Sequence, residues 1–305
     1  MSDVDPAALR LTDFFRDWFK PLFLRGRSPR TTQLYLTSLR TLTTFLQRAP
    51  VVADLNDETI NRFLSWFREL PRSPASVNKE HANITAMWRF ACRKNLLTVW
   101  PDVARDPQPK RVPIAWLPHE LDQLWAAVRK QQGWIGCCAA ADWWSALLSL
   151  CWDTGERITA VRSLTWKDVD LKGGWVIFQA VHRKGGRSDE AYKLHADTLA
   201  ALEQIRFPKR EAVFPWPYND NYLWRRYDEV LKLAGLPTDR RSKFHRIRRS
   251  VGSYVKAAGG DPTEALRHAD SRTTANYIDP RVCPKQHSVD FLFRPNSEPE
   301  PPRAA

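Results

Sequence analysis

The segment from Asp102 to Pro113 constrains this chain most. It carries prolines at 107, 109 and 113 and charges at Arg105, Asp106, Lys110 and Arg111, with almost no large apolar residue, so it cannot build a core. It divides the 305 residues into two folded parts, with boundaries expected at 8–103 for the first, 104–113 for the linker and 114–294 for the second. Residues 295–305, rich in Pro and Glu, are expected to form a mobile tail. Hydrophobic residues make up 43% of the chain, which is enough for a core on each side of the linker.

Before the linker, apolar residues recur at helical spacing between cap signals. Ser28-Pro29-Arg30-Thr31 is a polar cap followed by proline at the first helical position, and the helix runs on through Tyr35, Leu39, Leu42 and Leu46. A second helix is expected over 57–70, and a third opens at Ser73-Pro74, with Ile84, Trp88 and Phe90 inward and Lys79, Arg89, Arg93 and Lys94 outward. After the linker, Pro118 begins a helix, and a strongly apolar one over 142–153 closes near Thr154-Gly155. Beyond Asp168 the pattern turns to β, with Trp175-Val176-Ile177-Phe178, a turn at Gly185-Gly186 and a second run through Tyr192 and Leu194. Helices return from Leu199. The expected fold class is mainly α with a small antiparallel β-sheet: a helical N-terminal domain and a mixed α+β second domain.

Forty-seven Lys and Arg against 34 Asp and Glu give a net charge of +13, which favours a polyanionic partner, nucleic acid first. Many basic proteins share such a charge, so it needs a site to support it. The five cysteines show neither Cys-x-x-Cys spacing nor the density of a disulfide scaffold, so they read as reduced and mostly buried, without structural zinc. The first residues lack a basic stretch followed by an apolar one, and no apolar run reaches membrane-spanning length. A cytoplasmic protein without a membrane partner is expected.

Near the C-terminus, His245 and Arg248 stand three apart, so on a helix they project from one face. Arginine offers a planar fork of donors suited to phosphate oxygens, and histidine can move a proton near neutral pH. Taken alone, the pair fits equally well a basic helix face lying on DNA backbone. Asp261-Pro262-Thr263-Glu264 opens a short helix running to His268, and Ser271 is expected to cap another that contains Thr273, Thr274 and Tyr277. A turn between them would bring His268 and Tyr277 to one site. Tyr254, between Val251 and Val255, has the spacing of a core position instead.

His245-x-x-Arg248, followed by Leu266-Arg267-His268-Ala269-Asp270-Ser271-x-Thr273-Thr274-x-x-Tyr277, resembles the paired C-terminal boxes of the tyrosine recombinase (phage integrase) family. Upstream, Asp153-Thr154-Gly155-Glu156-Arg157-Ile158 resembles the box holding that family's first arginine, and Leu164 to Leu171 the segment entering its first strand. His182-Arg183-Lys184-Gly185-Gly186-Arg187 falls where the family has a β-hairpin with its catalytic lysine, although Arg183, Arg187 and Lys193 compete with Lys184. The N-terminal helices are similar, less specifically, to the family's core-binding domain.

The resemblance implies a DNA breaking-rejoining catalytic domain without cofactor or metal. It makes Tyr277 the nucleophile, gives Arg157, Arg248 and His268 to the scissile phosphate, Lys184 to the departing oxygen and His245 to the phenol's proton. Double-stranded DNA, a homotetramer on two duplexes and accessory DNA-bending proteins are the implied partners. Arg30, Lys79, Arg183, Arg187 and Lys243 are the expected DNA contacts. A topoisomerase or telomere-resolving enzyme would use the same residues. A catalytically weakened DNA-binding relative also stays open, and a metal-dependent nuclease comes last. Two departures stand out: Ala160 occupies a position where the family usually has an acid, and Arg267 one where it has glycine. Loss of the acid predicts a retuned or weakened site.

Overall fold

A computed structural model describes residues 5–183, 185–186, 188–207 and 209–284. The chain divides into two compact units, Met1–Lys110 and Arg111–Ala305. Lys184 and Arg187, two of the expected site residues, and the tail 295–305 lie outside the described residues.

In the first unit, α1 (Leu11–Phe14) continues through a π-helical turn (Phe15–Phe19) into α2 (Lys20–Phe23), and α3 (Pro29–Leu46), α4 (Asp57–Glu69) and α5 (Pro74–Arg93) follow. The starts are set locally: Ser28, Asn56 and Ser73 each accept from the backbone N–H three residues on, at 3.3, 2.9 and 3.3 Å, satisfying donors the helix cannot. Phe14, Phe19, Leu42, Ile60, Phe63, Ile84 and Trp88 are fully buried. The chain leaving α5 stays fastened to this unit as far as Asp106, whose backbone exchanges two hydrogen bonds with Asn78, at 2.8 and 2.9 Å, and whose carboxylate pairs with Arg68.

The second unit is built round α7 (Ala140–Thr154), which is apolar on nearly all sides and is covered by α6 (Pro118–Arg129), α9 (Ala196–Gln204) and α11 (Phe244–Ala257). A two-stranded ribbon, β1 (Trp134–Ile135) with β2 (Cys138–Ala139), leads into α7; strands of two residues carry no periodicity, so the sequence does not announce them. Beyond α8 (Ile158–Arg162), strands β3 (Val169–Asp170), β4 (Trp175–Phe178) and β5 (Glu190–Lys193) form an antiparallel sheet in that order. Val176 pairs with Tyr192 and Phe178 with Glu190, and the alternate residues Val176 and Phe178 face the core. Pairing stops at Phe178 and Glu190, so Gly185-Gly186 belongs to a long loop rather than a tight hairpin turn. That loop folds back on itself: a side chain at Gly186 would lie 2.6 Å from the carbonyl oxygen of Ala180.

Helix α10 (Asp220–Leu233) precedes α11, and two one-turn helices, α12 (Pro262–Ala265) and α13 (Ser271–Thr274), follow it. Asp270, not Ser271, caps α13, accepting from the backbone of Arg272 at 2.8 Å, and Tyr277 lies in the turn beyond rather than within the helix. The start of this unit and the segment after Tyr277 hold each other. Asp279, fully buried, accepts from the backbone of Ala115 at 2.7 Å, while Ser253 donates to the carbonyl of Tyr277 at 3.0 Å and accepts from the N–H of Asp279 at 2.9 Å.

Candidate active site

Helix α7 ends because Gly155 takes the left-handed conformation at φ 59°, where a side chain would also meet Leu266 at 2.8 Å. The two residues after it, Glu156 and Arg157, are thereby turned out of the helix beside α11. From α11, Arg248 enters the interior at 1% exposure while His245 keeps contact with solvent, yet both face Tyr277. The His245 and Tyr277 ring centres are 5.0 Å apart and the Arg248 guanidinium carbon lies 5.7 Å from the Tyr277 ring. His268 closes the other side, its ring centre 4.6 Å from that of Tyr277, and its Nδ1 is held by the Thr274 hydroxyl at 3.0 Å. Arg157 and His268 line one open cleft of about 670 Å³, together with Arg183, Glu190 and Arg267. Five of the six expected catalytic residues therefore converge from a single chain, although up to 120 positions separate them (157 to 277).

Arg248 donates to the carbonyl oxygens of Gly155, at 2.5 Å, and Leu266, at 2.6 Å, and lies 3.8 Å from the Glu156 carboxylate. Its Nε has no hydrogen-bond partner among the described residues, and neither has Nε2 of His268, although both atoms are buried. Buried polar atoms are satisfied in the great majority of cases, so the Nε–H of Arg248 marks a place for an acceptor, and Nε2 of the neutral His268 ring can join it as a donor when Nδ1 accepts from the Thr274 hydroxyl. Partial packing against protein, which removes some of the water from the rings, and then the positive charge of neighbouring arginines hold the imidazoles of His245 and His268 down from the usual 6.5 to about 4, so both rings are neutral at pH 7.

Two expected DNA contacts are otherwise engaged. Arg183 is nearly buried, bound to Glu156 at 2.8 Å, because a carboxylate withdrawn from water needs a cation beside it. Lys243 pairs with Asp228 and donates to the Thr238 carbonyl at 2.9 Å, which occupies its ammonium inside the fold. Arg30 is exposed on the first turn of α3, and Lys79 pairs with the buried Glu80 at 3.1 Å.

Arg267 adopts φ 49°, the left-handed conformation that explains why glycine serves at this position in the resembled motif. Its side chain pairs with Glu190 at 3.1 Å and lies over the Tyr192 ring at 5.4 Å. Sequence reasoning missed Glu156, Tyr192 and Thr274. Of these, Glu156 and Thr274 stand inside the motif segments beside Arg157 and Tyr277, whereas Tyr192 left no signal beyond its place in a strand. Among the described residues, no group of three or more His, Cys, Asp or Glu side chains is arranged to hold a metal ion.

The profile of the phage integrase family matches residues 117–282. No curated protein matches the chain in sequence. A solved lambda integrase dimer bound to a COC′ core site superposes with a TM-score of 0.70 at 18% identity, covering 90% of this chain and 96% of that one. A Tn1549 transposon integrase variant in complex with a circular intermediate DNA gives 0.68 at 14%, covering 89% and 95%. The XerH site-specific recombinase bound to a palindromic difH substrate gives 0.64 at 16%, covering 83% and 77%. At these identities the likeness is one of fold.

Proposed function

The chain belongs to the phage integrase family, and from that premise we propose that it is a site-specific DNA recombinase working through a covalent bond between Tyr277 and DNA. It acts on double-stranded DNA, in integration or recombination. The observation that carries the residue assignment is the position of the Tyr277 ring between two neutral imidazoles and against a buried guanidinium.

The phenol oxygen attacks the scissile phosphorus and the P–O5′ bond breaks, leaving a 3′-phosphotyrosine and a free 5′ hydroxyl. Neutral His245 takes the phenol's proton, and Lys184 gives one to the departing oxygen. A non-bridging oxygen meets the unpartnered Nε of Arg248 and Nε2 of His268, and Arg157 serves the other oxygen, so charge built up in the transition state meets fixed donors. A 5′ hydroxyl from another strand reverses the step on a new partner. The bond energy is retained in the phosphotyrosine, so rejoining needs no nucleotide cofactor. A tetramer on two duplexes is the assembly in which such exchange completes, in the cytoplasm, where the DNA lies.

On a nicked suicide substrate the purified protein forms a covalent adduct that Tyr277→Phe abolishes. An adduct surviving that substitution would sink the assignment.

A further inference from the structure

We propose that Glu156 is a positioning residue of this site: a buried carboxylate that holds Arg248 and Arg183 at fixed places, so that one is ready for the phosphate and the other fastens the loop leading to Lys184. The proposal rests on the recombinase reading above. Glu156 is 3% exposed, and both of its carboxylate oxygens are engaged within the site. Oε1 accepts from Nε of Arg183 at 2.8 Å and from the Tyr192 hydroxyl at 3.0 Å. Oε2 accepts from the backbone N–H of Arg157 at 3.1 Å and lies 3.8 Å from Arg248.

Three elements thus meet on one carboxylate: the turn after α7, helix α11 and the β4–β5 connection with its strand β5. Arg157, Arg183, Arg248 and Arg267 crowd this region with positive charge, and Glu156 is the anion buried among them. Without it, Arg248 would keep only its two carbonyl acceptors, and Arg183 only the Ser188 carbonyl and the more exposed Glu190 carboxylate 3.6 Å away, so no shared anion would fix the two together. With it, Arg248 is held by Glu156 and two carbonyl oxygens while Nε remains unused. The backbone N–H of Arg157 is fixed by the same group. Ala160, where the family resemblance anticipates an acid, is buried in the apolar core and carries no charge. The acid of this site comes from a different backbone position, and Ala160 does not imply a failed one.

The test measures single-turnover adduct formation at saturating DNA on two substrates, one with an ordinary scissile phosphate and one with a methylphosphonate, in which one non-bridging oxygen, and with it the charge, is removed. Wild type must first give an adduct that depends on Tyr277; absence of that adduct refutes the recombinase reading itself. Given it, Glu156→Gln lowers the rate roughly a hundredfold on phosphate with unchanged Kd for DNA, as expected when a catalytic group is misplaced by about an ångström. The loss shrinks on one methylphosphonate diastereomer, and combining Glu156→Gln with Arg248→Ala adds little beyond Arg248→Ala alone. A wild-type rate for Glu156→Gln, or an equal loss on both substrates, would overturn the proposal. Should Glu156→Gln fail to fold, Arg183→Met tests the other arm on a 5′-phosphorothiolate, whose leaving sulfur needs no proton: a loss on phosphate that shrinks on that substrate supports the proposal, and a wild-type rate on phosphate or an equal loss on both substrates refutes it.

Discussion

Helix α11 buries two arginines two residues apart, and they are finished differently. Arg246 has a partner for each nitrogen: its guanidinium lies 3.4 Å from the Trp116 ring, meets both carboxylate oxygens of Glu120 at 3.1 Å, and reaches the Ala115 carbonyl and the Ser242 hydroxyl. Arg248 is as deeply placed, yet its Nε is unpartnered among the described residues and the carboxylate of Glu156 stands 3.8 Å away. Both guanidiniums are pushed below the usual arginine range, burial being the first cause in each; for Arg248 the next is Arg157, another cation, and for Arg246 it is the Glu120 carboxylate, which opposes the shift. A guanidinium whose needs are met by the fold is structural. In the proposed mechanism, the one left short by its own chain is the one that meets the phosphate oxygen.

Truncating each arginine separates their roles most strongly. Arg246→Ala leaves Glu120 without its cation and should cost about 3–5 kcal/mol of stability, read as a lower urea midpoint. Arg248→Ala should instead slow adduct formation by roughly a hundred- to a thousandfold, and because Glu156 keeps its ion pair with Arg183, its cost in stability should be the smaller of the two. If Arg248→Ala proves the more destabilising of the two, the distinction fails.

A smaller effect concerns pH. His245 and His268 have folded-state values near 4 against an ordinary 6.5, so above 6.5 both states are neutral and the contribution to stability is fully present. As pH falls from 6.5 toward 4 the unfolded state takes up protons that the folded site refuses, and stability declines across that window. Replacing both histidines by Asn should flatten the unfolding free energy between those limits. Chemical-shift titration of the free protein should give values well below 6.5, and Arg248→Ala should raise them; an ordinary titration near 6.5 would show that neither burial nor the neighbouring arginines hold the rings neutral.

Arg267→Gly should change least. Relief of the left-handed backbone, worth about 1–2 kcal/mol, is offset by loss of the pairing with Glu190 and by glycine's greater freedom in the unfolded chain. The net change in unfolding free energy is expected within about 1 kcal/mol of zero.

Much of this was legible along the chain. Ser28-Pro29, Ser73-Pro74 and Asp261-Pro262 mark helix starts because a cap needs only its next few residues. His245 with Arg248, and His268 with Tyr277, could be read because their spacings are set by one helix and one turn. Asp270 took the cap assigned to Ser271, since either short polar side chain can turn back on the following backbone and only the folded path chooses between them. The partners of Arg183 and Lys243 were not legible: an exposed cation and one bound to a distant acid look the same in sequence.

What could be read along the chain was the mainly helical class with its small sheet and the helix starts set by their caps. Spacing and periodicity are consequences of local covalent geometry. The partners of the buried charges came from the fold alone: Glu156 against Arg183 and Arg248, and Arg246 against Glu120, with Nε of Arg248 left unpartnered among the described residues. Those are matters of burial, where a charge taken out of water must find its opposite wherever the chain brings one. Glu156 finds Arg183 across 27 positions and Arg246 finds Glu120 across 126, distances over which local pattern carries no information.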